Sequence, residues 1–568
     1  MIVDTLVCLV LVLGATWGIS RPLVRRLPLG PAEAVLAGMV LSLLAAWGIA
    51  WTVFISGSPL SWYWLIPAAG AVGLLADHRG VRALWADSAA RALMLGQALV
   101  TAWCVACLAF VRYHSGGGWT GDSFEHWERT CFFLRAWPAE RLFIGIYQVP
   151  ARPPLGNVLT AAYLRMTAFD YAHFQLVMTV LCSLAFLPVA ALALRFGGRR
   201  AAQMAAIIVM VNPLFIQNAT YPWTKLEAAF FILSGLYFFL RVRDPDGSVR
   251  TAGVLCGLAL GGALVTHYSA GPYVVVLAAA WIVLGFRRGW GDGFRGTTAL
   301  AAAGGAIVLL SWFSWSLVTY GVHGTFFSNS TVTMIQRAQM GPVMTFLLNI
   351  RDTLIPAQVR GYSGLMFQQA SPWGRLRDNF FMMYQLNPIL ALGCVGCVVA
   401  AREAWRASRP NPVGRRFWAA IVLGVFLLSF TTYGDRDHYG LGHLWLHSLV
   451  LLGLAFLASR WERLEPGWRR LLVLGWAVDF ALGIALQFAV EDFALDRWLT
   501  PNLNLGQVIA SYTGVAQQNL ADKIVARQLY FADLLTAPPL LVLAFLAAVL
   551  ALAIVRVRRP GLPTATAP

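Results

Sequence analysis

The stretch AHFQLVMTVLCSLAFLPVAALALRFGGRR, Ala172 to Arg200, decides the fold class. Up to Leu194 it contains no Asp, Glu, Lys or Arg, and Arg195, Arg199 and Arg200 follow immediately. At about 1.5 Å per helical residue such a run crosses a hydrocarbon core of about 30 Å. The same pattern, an apolar run that ends in arginines, recurs along the chain. Roughly fifteen apolar stretches are long enough to be read as spans, near 2–20, 32–56, 61–76, 92–112, 172–194, 201–217, 227–241, 251–267, 272–286, 298–319, 382–400, 417–432, 441–459, 471–489 and 537–555. With 58% hydrophobic and 12% charged residues in 568, and a mean hydropathy of +0.65, the chain reads as an all-α polytopic membrane protein.

A net charge of +17 in a soluble protein would point to nucleic acid. Here the arginines sort by loop. Most of the 43 Lys and Arg lie in alternate short loops, at Arg21–Arg26, Arg79–Arg91, Arg195–Arg200, Arg241–Arg250, Arg287–Arg295, Arg402–Arg416, Arg460–Arg470 and the tail Arg556–Arg559. By the positive-inside rule these loops are cytoplasmic, so the charge reports topology and implies no nucleic-acid partner. The N-terminus is then expected outside and the C-terminus inside, in a multi-pass protein of the cytoplasmic membrane. The loops 113–171, 218–226, 320–381, 433–440 and 490–536 are expected on the extracytoplasmic face. The first apolar run contains Asp4 and lacks a basic leader, so it reads as a retained helix.

No polar interval is long enough for a soluble domain of ordinary size, so function is expected within the membrane and its outer loops. The chain divides into an N-terminal module of about three helices (1–91), a core (92–459), and C-terminal helices with an outer loop and a short disordered tail (460–568). The pairs Cys104/Cys107 and Cys394/Cys397 fall inside apolar runs and read as packing residues, because a zinc or redox pair needs polar surroundings. GDGFRG at Gly291–Gly296 spells a dinucleotide fingerprint, but no strand precedes it.

The first long polar break carries GDSFEHWERTCFFL, from Gly121 to Leu134. At 100° per residue Asp122, Glu125, His126 and Arg129 share one helical face, with Phe124, Trp127, Cys131 and Leu134 on the apolar side. This is an amphipathic helix suited to a membrane interface. A solvated face without chemistry fits the pattern too. YQVPARPPLGN follows at Tyr147–Asn157, where two prolines stiffen the backbone beside Arg152. A guanidinium so held suits bidentate phosphate binding, and also suits an arginine snorkelling to the interface.

An acid at the start of the first outer loop, with Arg-Pro-Pro-Leu thirty positions later, resembles the GT-C glycosyltransferases, and within them the protein O-mannosyltransferase and aminoarabinose transferase group. NPLFIQNATYPWTKLEAAFFILSGLYFFLR, from Asn212 to Arg241, is similar to the same group. The resemblance implies a GT-C-type helical bundle and an inverting transfer of a sugar from a polyprenyl-phosphate donor. The acceptor would be a cell-envelope glycan, lipid or protein on the extracytoplasmic face. It places Asp122 as catalytic base, Arg152 on the donor phosphate, and Arg129 as a second cation. Where members of the group carry an arginine three residues after the aspartate, this chain has Glu125, which leaves Glu125 or Glu128 to orient the acceptor or a cation.

Lys225, one of two lysines, stands at an outer helix start with Glu227 two positions on, a spacing that points the two side chains apart. It is a further candidate for the carrier phosphate, or a snorkelling residue. His126, His267 and Tyr268 are weaker candidates for substrate contact. So are Asp437 and His438 in YGDRDHYGLGHLWLH, where Asp435, His443 and His447 also permit a metal site. No metal and no cofactor is required by the sequence, and a divalent cation is the less favoured option. Arg360, Gln368, Gln369, Trp373, Arg375, Asn502, Asn504, Gln517 and Gln518 suit sugars or any ordered loop. Two other readings stay open: an O-antigen ligase or polymerase using a diphosphate carrier, and a transporter or lipid flippase, which would need ionisable residues near the bilayer midplane.

Overall fold

The computed structural model describes residues 1–111, 120–135, 137–143, 147–244, 249–327, 341–354, 394–407, 412–432, 446–485, 530–535 and 537–558. Every regular element among them is a helix, apart from one isolated bridge between Phe143 and Tyr147. Nine stretches of these residues are long and apolar enough to cross a membrane, fewer than the fifteen expected. Helices also occupy Leu60–Ala76, Lys225–Arg243, His447–Arg460 and Pro466–Ala485, but these are shorter or more polar. Much of the expected 382–400 span lies outside the described residues.

The span expected at 172–194 is two helices, Tyr171–Ser183 and Phe186–Met210. Pro188 explains the restart: it sits in the first turn of the second helix, where an N–H has no intrahelical partner anyway. That helix breaks again at Gly198, whose φ of 75° is left-handed, so the chain turns within the Arg195–Arg200 loop as its glycines allow. Both helices are buried along their apolar lengths and form the centre of the molecule.

Close helix contact uses small residues. Gly253, Gly257 and Gly261 form a ridge on Val249–Thr266 that meets Asp292–Phe326. A Cβ at Gly257 would lie 1.9 Å from the Ala301 carbonyl oxygen, so only glycine lets the two backbones approach this far.

The N-terminal helices pack onto the core. Thr16 shares a hydrogen bond with Tyr163, and Trp47 Nε1 donates to Ser311. Trp51 and Phe54 of Pro31–Ile55 meet Phe133 of the loop helix, with ring centres 6.4 and 4.9 Å apart, and Trp51 also meets Trp312. At one end Glu33 pairs with Arg241, while Asp244 takes Arg241 at 2.7 Å and Arg195 at 2.6 Å. These charges mark the arginine-rich end. Lys225–Arg243 runs from Lys225 to Arg241 and Arg243, and Val249–Thr266 runs from Arg250 to the residue before His267. At 1.5 Å per residue each is roughly 27 Å long, so the arginine loops and the polar cluster at the Lys225 end stand about one bilayer core apart.

Candidate functional site

The polar break forms the expected helix, Thr120–Arg135. Asp122, Glu125, His126 and Arg129 do share one face, but that face points into the protein: Glu125 and His126 are fully buried and Arg129 is 2% exposed. Burying so many ionisable groups is costly unless they are paired. They are paired by the next segment. Val149–Ala151 makes one turn of 3₁₀ helix, and Arg152 follows in extended conformation (φ −139°, ψ 137°), as a residue before proline must. This geometry sends the Arg152 guanidinium back to the loop helix, where it donates to Asp122 Oδ1 at 3.0 Å and contacts Glu125 Oε2 at 2.8 Å.

Glu125 therefore bridges two arginines, because its Oε1 also accepts from Arg129 Nε at 2.7 Å. In the position where the similar group carries an arginine, this chain has the counterion that orients Arg152. Arg129, expected as a second phosphate cation, makes protein contacts through each of its nitrogens. Its Nη1 donates to the Val149 carbonyl at 2.7 Å and its Nη2 to the Gln148 carbonyl at 2.9 Å, so all three nitrogens are engaged in holding the Arg152 turn. Tyr268 donates to the Pro150 carbonyl at 3.0 Å and clamps the same turn from another element.

His126 packs behind this layer. Asn157 Nδ2 donates to the His126 carbonyl and to Thr130 Oγ1, so its Oδ1 is left to accept from the histidine Nδ1 at 3.2 Å. Burial first, then the Arg152 and Arg129 charges, hold its imidazole well below the usual range and keep it neutral. Ser123 N–H donates to the Tyr221 hydroxyl at 3.2 Å, which joins the loop helix to the Tyr-Pro-Trp-Thr-Lys turn.

That turn delivers Lys225. Its Nζ is buried, sits 3.0 Å from the centre of the Trp223 ring, and makes no hydrogen bond among the described residues. Burial first pushes the Lys225 ammonium well below its usual range, and Arg152 adds to this, while Asp122 opposes it. His267 stands within the same electrostatic field as Arg152 and Lys225. Its Nδ1 accepts from Ser269 N–H at 3.0 Å, so in the neutral ring Nε2 carries the proton. Burial first raises the Asp122 carboxyl above the usual carboxylate range, and Glu125 adds to this, while Arg152 and Lys225 pull it back.

Asp437 and His438 lie outside the described residues, as do Asp435, His443 and the amides and aromatics of loops 355–393 and 486–529. His447 is described: its Nε2 meets Asn218 Oδ1 at 3.0 Å. Among the described residues no group of His, Cys, Asp and Glu is arranged to hold a metal. Sequence reasoning missed Asn157, Tyr221, Trp223 and Tyr147, whose ring centre is 5.6 Å from the Arg152 guanidinium. Tyr147 and Asn157 stand at the two ends of the Arg-Pro-Pro segment, the only signal that marks them.

No protein-family model and no curated protein matches the chain. Two solved structures are similar to it, both of ArnT from Cupriavidus metallidurans. The crystal structure bound to undecaprenyl phosphate has a TM-score of 0.43 and 16% identity, covering 80% of this chain and 76% of that one. The apo crystal structure has a TM-score of 0.44 and 14% identity, covering 79% and 75%.

Proposed function

We propose that this protein is an integral-membrane inverting glycosyltransferase that moves a sugar from a polyprenyl-phosphate donor to a cell-envelope acceptor, on the face opposite the arginine-rich loops. One observation carries the reading. Asp122 and Glu125 pair with Arg129 and Arg152 in one buried cluster, within whose electrostatic field Lys225 lies with no hydrogen-bonding partner among the described residues. An unpaired ammonium in such a place is costly until an anion arrives, and a carrier phosphate beside Lys225 and Arg152 supplies that anion.

In this reading Asp122 removes the acceptor hydroxyl proton while the oxygen attacks the anomeric carbon. The bond from that carbon to the phosphate oxygen breaks, and the lipid phosphate leaves with its electron pair, stabilised by Arg152 and Lys225. Glu125 and Arg129 set the position of Arg152 and do not touch substrate. The raised pKa of Asp122 suits a base that must accept a proton near neutrality. His267 Nε2–H is a donor for the sugar or the phosphate. A cluster gathered at helix ends is a poor fit to a transporter. Among the described residues, Asp479, buried within Pro466–Ala485, favours that second reading.

The test is release of polyprenyl phosphate, followed by mass spectrometry, from purified protein in liposomes with a panel of polyprenyl-phospho-sugars and envelope extract. Wild-type protein is expected to release the carrier, and Asp122→Asn, equally well folded, to lose activity by at least about 100-fold, the lower end of the general-base range. Equal rates would remove Asp122 as the base. No turnover of any monophosphate donor, with turnover of a diphosphate donor, would establish the ligase-like reading instead.

A further inference from the structure

A second charged feature lies at the opposite end of the same helices and has no part in the transfer chemistry. Val249, Arg250, Arg288, Gly293, Phe294 and Thr297 line a cavity of about 360 Å³. The letters GDGFRG, which spell a fingerprint without its strand, belong to this wall: Gly293, in the first turn of Asp292–Phe326, has no side chain and open space where a Cβ would stand. The turn before it is tightly wound, with Gly289 at φ 72° and Trp290 at φ 49°. That turn folds the Trp290 ring over Gly285 and against Phe294, which shapes the cavity side of the helix start.

The cations around this cavity, Arg243, Arg250, Arg287 and Arg288, have no carboxylate partner among the described residues. Asp244 is taken by Arg195 and Arg241, and Asp292 is exposed beside Arg295. Arg288 is oriented by the Arg243 carbonyl, to which its Nη2 donates at 3.4 Å, and by the Phe294 ring at 5.7 Å. Beside the cavity, Ile282, Val283 and Phe286 of the helix Gly271–Arg287, whose C-terminal cap is Arg288, and Leu300 and Ile307 of Asp292–Phe326 are exposed. A guanidinium pair in a cavity of ligand-site size, with apolar side chains beneath, matches a phosphate headgroup whose acyl chains run down the helices.

We infer that this cavity is a binding site for an anionic phospholipid headgroup, independent of the transfer site. The apolar strip below it favours a lipid over a soluble anion or an acidic protein, since neither of these would use Phe286 or Ile307.

The experiment is native mass spectrometry of the full-length purified chain, with added phosphatidylglycerol or phosphatidylcholine, and with soluble glycerol phosphate as competitor. Wild-type protein is expected to retain phosphatidylglycerol over phosphatidylcholine. Arg250→Gln with Arg288→Gln should weaken retention roughly 30-fold, about fivefold per arginine. Gly293→Phe fills the cavity without changing charge and should abolish the preference, which keeps the test decisive should the double variant fail to fold. Arg463→Gln with Arg470→Gln removes the same charge from exposed positions elsewhere and should change retention less than twofold. Equal retention of both lipids, an equal loss in the control pair, retention unchanged in Gly293→Phe, or displacement by equimolar glycerol phosphate would each overturn the proposal.

Discussion

Lys225→Met separates stability from function at one atom. The wild-type Nζ is buried, lies on the Trp223 ring at 3.0 Å and makes no hydrogen bond among the described residues. A desolvated cation–π contact returns about 2 kcal/mol, whereas taking an ammonium out of water costs several. Apolar replacement of buried charges stabilises proteins by about 1–4 kcal/mol. Methionine, which keeps the stem and loses the Trp223 attraction, should therefore stabilise the donor-free protein by about 1 kcal/mol. The same change removes a charged contact to the donor phosphate, worth about 1.5–3 kcal/mol. The variant should lose roughly 10- to 100-fold in kcat/KM. It should also lose the thermal protection that a saturating donor gives the wild type. The assays are thermal unfolding in detergent with and without donor, and carrier release. A variant that is less stable than wild type yet keeps full activity would refute the reasoning, and would make Lys225 a structural anchor for Trp223.

The pH profile gives a second check. The Asp122 carboxyl is raised in the folded protein, and a base must be ionised, so activity should fall on acidification at a pH above the ordinary carboxylate range. Glu125→Gln removes a like charge that contributes to the rise, so the acid limb should move to lower pH whatever happens to the maximal rate; an unmoved limb would exclude Asp122 as its source. In the bundle, Gly257→Leu should destabilise the protein by about 1–3 kcal/mol or more, because the new side chain overlaps the Ala301 carbonyl. An unchanged unfolding temperature would show that the two helices part without cost.

The residues of the loop helix show where reading the chain stops. Spacing along Thr120–Arg135 is enough to put Asp122, Glu125, His126 and Arg129 on one face, because helical periodicity is local. Whether that face meets water or protein is not local. It turns inward because the Arg-Pro-Pro turn and the Tyr221–Lys225 turn close over it, through Arg152 to Asp122 and Ser123 to Tyr221. Likewise, Arg129 looks like a free cation in sequence and proves to be spent on the carbonyls of Gln148 and Val149.

What the sequence determined by itself is the solvent and the element type: hydropathy makes the chain a helical membrane protein, since each run of apolar residues must satisfy its backbone internally in lipid. Arginine placement is the sequence's own signal of which loops share a face, through the positive-inside bias of Lys and Arg. Only the tertiary structure decided which cations are free. Asp122, Glu125, Arg129, Arg152 and Lys225 span about a hundred residues, and which side chain is left without a hydrogen bond among the described residues is known only once each carboxylate has been assigned its own. Pairing of that kind depends on ångström distances between separate segments, and no local pattern in the chain records them.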